Sequence, residues 1–109
     1  MKRNKMTADT RREYLRICNS IVKNCNQSLD FYNQVISEAQ IPSGKLREVE
    51  QYKRDNLIVL RRIQLIKAQS DFNKKDDMLL DFSKVWKKIS RKLTKTEILM
   101  VNYFGNKND

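Results

Sequence analysis

The chain has no histidine, one proline, two glycines and two cysteines among its 109 residues. Without histidine the commonest general base is missing, and two cysteines alone do not make a zinc site. No glycine-rich phosphate loop and no nucleophile elbow interrupts the chain. Glu48, Glu50 and Asp55 are the nearest approach to a paired-carboxylate site, and on so charged a helix they read as solvated partners of Lys53 and Arg54. No enzymatic activity, no metal and no cofactor is therefore expected. So few turn-forming residues also leave little material for a β-rich fold.

Long apolar runs are absent too, so no membrane span is expected. The start of the chain, residues 1–6, is basic but has no apolar stretch behind it and does not read as a secretory signal. An intracellular location is the expectation. Cys18 and Cys25 are seven residues apart. On a helix their Cα atoms would stand roughly 10.5 Å apart, too far for a disulfide, so both read as reduced core residues.

Charge is plentiful. A third of the residues are charged, 33%, and the net charge is +10. That excess favours nucleic acid, an anionic surface or an acidic protein as partner, and says nothing about fold. Apolar spacing supplies the fold. Over residues 10–40, Tyr14, Cys18, Ile21, Cys25, Tyr32, Val35 and Ala39 recur in steps that suit one helical face, and Leu15, Val22, Leu29 and Ile36 form a second file beside it. Thr10 with Glu13 fits a capping box at the start, and Thr7 is an equal candidate for the cap. Pro42 breaks the pattern, with Ser43 expected to cap the next helix. That second helix, over about residues 45–70, carries Val49, Tyr52, Val59, Leu60, Ile63 and Ile66 on its main stripe. Leu57, Ile58 and Leu65 add apolar surface on its other sides, so it needs cover from more than one direction.

Residues 71–77 read as a polar loop in which Asp76 and Asp77 cap a third helix that runs to Leu93. The segment superficially matches a calcium loop, but Asp76 replaces the required glycine and Phe82 the bidentate glutamate. Thr94 to Glu97 forms another capping box, predicting a separate short helix to Phe104 that Gly105 closes. Residues 93–105 are similar to the opening helix of a sigma-factor-type helix-turn-helix, over a small part of the chain. The residues after Gly105 supply no recognition helix, so base-specific readout of that kind is not expected.

The sequence thus predicts an all-α small helical bundle: a long antiparallel helix hairpin, a shorter third helix and a short C-terminal helix. All 109 residues form one domain, with a basic flexible arm over about residues 1–8 and a polar tail over about 105–109.

The leading functional feature lies in residues 84–95, where Lys84, Lys87, Lys88, Arg91, Lys92 and Lys95 occur with no acidic residue between them. At about 100° per residue they share one side of a helix, while Val85, Trp86, Ile89 and Leu93 take the other. A single-sign face of this kind suits backbone phosphate, with Arg12 and Arg16 as a further pair on one side of the first helix. Trp86 reads as a core anchor. Arg61 and Arg62 interrupt the most apolar part of the chain, and with Ile58, Leu65, Met100 and Tyr103 they read as partner-binding residues. Asn19, Asn26, Gln27, Asn33, Gln34 and Ser37 leave the outer face of the first helix nearly uncharged and cheap to desolvate.

Two functions are expected on these grounds. The first is a non-enzymatic accessory protein that binds nucleic acid through backbone phosphates, alone or as a small subunit of a nucleoprotein assembly. The alternative is a protein-interaction module, an inhibitor or adaptor such as a virus, phage or mobile element encodes, that binds a protein partner through its low-charge and apolar helical faces, while its cations engage an acidic protein surface. A homodimer is expected because the second helix wants more cover than one hairpin gives.

Overall fold

Three helices pack together in the computed structural model, which describes residues 6–106: α1 (Ala8–Glu38), α2 (Leu46–Ala68) and α3 (Phe72–Asn106). Thr7 caps α1, its hydroxyl oxygen accepting from the Thr10 N–H at 3.1 Å, and Asp9 adds negative charge to the first turn. The helix therefore starts ahead of the Thr10–Glu13 pair. Of the basic arm expected over residues 1–8, Met6 packs against the core and Ala8 is already helical. Lys2, Arg3 and Lys5 lie outside the described residues, as does the tail beyond Asn106.

α1 ends at an extended Ala39, three residues before Pro42. Ser43 does not cap α2. It opens a 3-10 turn, Ser43–Lys45, in which the Lys45 N–H donates to the Pro42 carbonyl at 2.8 Å, and α2 begins without a side-chain cap.

Two buried clusters fix how the helices run. The first joins Cys18, Ile21 and Cys25 of α1 to Val59, Ile63 and Ile66 of α2 and to Leu79 and Phe82 of α3. The second joins Tyr32 and Val35 to Val49 and Tyr52 and to Leu93 and Met100. Early α1 thus meets late α2 and early α3, so α2 runs antiparallel to both neighbours. Trp86 and Ile89 pack against both clusters and make one continuous core. The molecule is elongated, 60 × 23 × 17 Å.

α3 departs most from expectation. Asp71, not Asp76 or Asp77, caps it: Asp71 Oδ1 accepts from the N–H groups of Asn73 and Lys74 at 2.9 and 3.2 Å. The helix then runs through Thr94 without a break and includes Gly105. The Thr94 and Thr96 hydroxyls donate back to the carbonyls of Ser90 and Lys92, bonds a threonine makes inside a helix. Leu93 and Met100 lie seven residues apart on one buried stripe, and burying both holds the junction helical. Not all of the C-terminal segment is covered: Ile98 and Val101 are exposed. The second file of α1 is likewise only partly covered, since Ile36 is exposed while Leu15 and Val22 pack inward.

Candidate nucleic-acid interface

The core-facing stripe of α3, namely Leu79, Phe82, Trp86, Ile89, Leu93 and Met100, fixes the rotation of the helix. Its opposite side is thereby held toward solvent. Lys84, Lys87, Lys88, Arg91 and Lys95 are all exposed there, and none makes an ion pair with a described residue. From Lys84 to Lys95 the face is roughly 16 Å long at 1.5 Å per residue.

Lys92 is different. Its ammonium lies 3.5 Å from Asp55 Oδ2 of α2, and Asp55 is buried. Gln51 Nε2 donates to the same carboxylate at 2.8 Å. A buried carboxylate needs such partners, so Lys92 marks the edge of the basic face and also stitches α3 to α2. This corrects the expectation that Asp55 is a solvated partner of Lys53 and Arg54; Arg54 instead donates to Gln51 Oε1.

Arg12 and Arg16 do not join the face. They pair with Asp9 and Glu13 at 2.6 and 2.5 Å within α1. Helix phase points them away from the side on which Tyr14, Ile17 and Ile21 meet Leu79 and Phe82 of α3.

The residues expected to bind a partner divide. Ile58, Arg61, Arg62 and Leu65 are exposed and border an open α2–α3 groove of about 420 Å³, with Met78, Asp81 and Phe82 opposite. Met100 is wholly buried, because its place on the α3 stripe carries it into the second cluster, so it cannot touch a partner. Tyr103 is half-buried against the same cluster.

A second concavity was not expected. It opens between α1 and α3, with Asn24, Gln27, Ser28 and Phe31 on one wall and Trp86, Ser90, Thr94 and Glu97 on the other. Asn56 of α2 is at its floor, 1% exposed. The Asn56 amide donates to the Tyr52 carbonyl at 2.9 Å, but its Oδ1 accepts from no described group. Leaving a buried acceptor unpaired costs about 1 to 3 kcal/mol. Burial pushes the Tyr52 phenol up; Ser28 and Asn56 pull it back and Glu97 adds to the rise, so this phenol feels three residues of the cleft. The sequence does contain a signal for Asn56. It falls four residues after Tyr52, in phase with Val59 and Ile63, where a stripe of apolar residues admits one amide.

Other chemistry is muted. Burial pushes the Cys25 thiol up to about 11 and raises Cys18 as well, with Lys67 partly opposing the second shift, so both are neutral thiols near pH 7. Among the described residues no group of His, Cys, Asp or Glu could hold a metal ion, and no helix is long and apolar enough to cross a membrane. No protein-family model matches the chain, and no curated protein or solved structure is significantly similar to it.

Proposed function

We propose that this protein binds nucleic acid through the phosphate backbone, with the outer face of α3 as the contact surface. One observation carries the reading: Lys84, Lys87, Lys88, Arg91 and Lys95 share one side of a helix whose other side is locked in the core, and they are free of ion pairs among the described residues. Five cations fixed outward on one helix attract a polyanion, and binding would be driven by release of its condensed counterions. Such contacts position a protein on a strand and carry little sequence information. The test is a binding series across salt, by gel shift or anisotropy. Affinity should fall steeply as salt rises and should collapse when Lys88, Arg91 and Lys95 are reversed to Glu. No affinity at low salt, or affinity indifferent to that reversal, refutes the reading.

The α2–α3 groove supports a second reading, a module that binds a protein. Ile58 and Leu65 stay 46% and 53% exposed between Arg61 and Arg62, an apolar strip edged with cations that an acidic partner would cover. Pull-downs with and without nuclease separate the two: a partner retained after nuclease treatment favours the groove, and one lost favours α3.

A further inference from the structure

The α1–α3 cleft has the chemistry of a site for a flat, neutral, hydrogen-bonding group. Its walls offer the amides of Asn24 and Gln27, the accepting hydroxyl oxygens of Ser90 and Thr94 and the carboxylate of Glu97, beside the ring of Trp86. No cation lines it, so it is not built for phosphate or carboxylate. Its floor includes Asn56, whose Oδ1 has no hydrogen-bond partner among the described residues. At about 330 Å³ it is at the lower end of small-molecule sites, which span about 300 to 1,000 Å³.

Its mouth is placed against the basic face. Lys87, Ser90, Arg91 and Thr94 recur at i, i+3, i+4 and i+7 and so form one strip of α3. Two of them belong to the cleft wall and two to the cationic surface. A group entering the cleft would have a phosphate of its own strand beside Lys87 or Arg91.

A nucleobase meets both conditions. It has a π-face for Trp86, and donors and acceptors on its edge for the amides and for Asn56. Within a duplex that edge is already paired and the face already stacked, so the strand must be single. We propose that the α1–α3 cleft takes one unpaired base of a single strand whose phosphates lie on Lys87 and Arg91. This rests on the backbone-binding reading of α3 and adds to it a preference for single strands.

Trp86 is the only tryptophan in the chain, so intrinsic emission reports directly on the cleft. The experiment follows Trp86 emission together with anisotropy of labelled oligonucleotides. Four ligands are compared: a single strand, an abasic strand of equal length, the duplex, and free nucleosides. The expected result is a shift in Trp86 emission with the intact single strand alone, and affinity about tenfold above that for the abasic strand, the scale of one stacked base. Asn56→Leu removes the unpartnered acceptor. It should keep or raise Tm while weakening the tenfold preference, a combination that loss of fold cannot produce. If this variant does not fold, Thr94→Val at the exposed rim serves instead. Salt-dependent binding with equal affinity for intact and abasic strands and unchanged Trp86 emission overturns the cleft and leaves the backbone reading standing. If no strand binds at all, both fall. Free nucleosides that shift Trp86 while abasic and intact strands bind alike would make this a site for the free compound and overturn the proposal for a strand.

Discussion

Arg11 and Asp76 bind each other through two parallel hydrogen bonds, Nε to Oδ1 at 2.6 Å and Nη2 to Oδ2 at 2.9 Å, across 65 residues of sequence. The pair ties the first turns of α1 to those of α3, and Arg11 also lies 4.5 Å above the centre of the Phe72 ring. The carboxylate holds the Arg11 guanidinium pKa above its ordinary value.

This fork should matter more than the other ion pairs of α1. Asp76→Asn is expected to lower Tm clearly, whereas Asp9→Asn and Glu13→Gln, whose partners are exposed on the same helix, should leave it nearly unchanged. Thermal melts of the three variants decide; equal effects would show that the fork contributes no more than a surface pair.

Continuity of α3 can be tested with one proline. At Lys95→Pro a continuous helix loses a hydrogen bond and gains a clash, about 3 kcal/mol or more. If Thr94 instead began a new helix, position 95 would be its first residue, where proline is welcome. A denaturant melt distinguishes a large loss from none.

Binding to a single strand should depend on salt with a predictable slope. Five phosphate contacts give a slope of log K against log salt of about −3.5, at about −0.7 per contact. Lys88→Ala should reduce it by about 0.7, and Arg12→Ala should not change it, because Arg12 lies away from the face. A slope unaffected by Lys88→Ala would place the contacts elsewhere.

Met100→Ala should destabilise by about 2 to 5 kcal/mol, the range for deleting a buried side chain of this size, since Met100 is 0% exposed. Urea unfolding measures it. A change below about 0.5 kcal/mol, typical of surface positions, would contradict its burial.

Alkaline pH should weaken the fold through Cys25. Its folded pKa of about 11 exceeds the ordinary value of 9.0, so between these limits the folded chain keeps a proton that the unfolded chain has released. Stability therefore falls as pH rises through that window, by at most about 1.4 kcal/mol per pH unit from this thiol. Comparing melts at pH 8.5 and 10.5, Cys25→Ala should lose less than the parent protein. The same burial should leave the native thiols slow to react with alkylating reagents at pH 8 and quick after denaturation.

Helix content was legible wherever apolar spacing was long and Pro42 supplied a hard stop. The start of α1 was legible only as a choice between Thr7 and Thr10, since both can accept from a nearby N–H. The junction at Thr94 misled because the residues of a capping box also suit mid-helix threonines that bond backward, and only the burial of Leu93 and Met100 decides between them. The cationic face of α3 was visible from spacing, but the turning of Lys92 toward Asp55 was not, because their contact depends on how α2 and α3 dock. The Asn56 cleft escaped for the same reason. Its walls come from helices that no local pattern brings together.

An uninterrupted α3 also sets how its ligand would be met. The spacing of Lys84, Lys88, Arg91 and Lys95 is dictated by helical pitch before any ligand arrives. Within α3 no coil needs to order on contact, so a strand must conform to that helix. Circular dichroism should then show unchanged helicity on binding, and any ordering should appear in the bases.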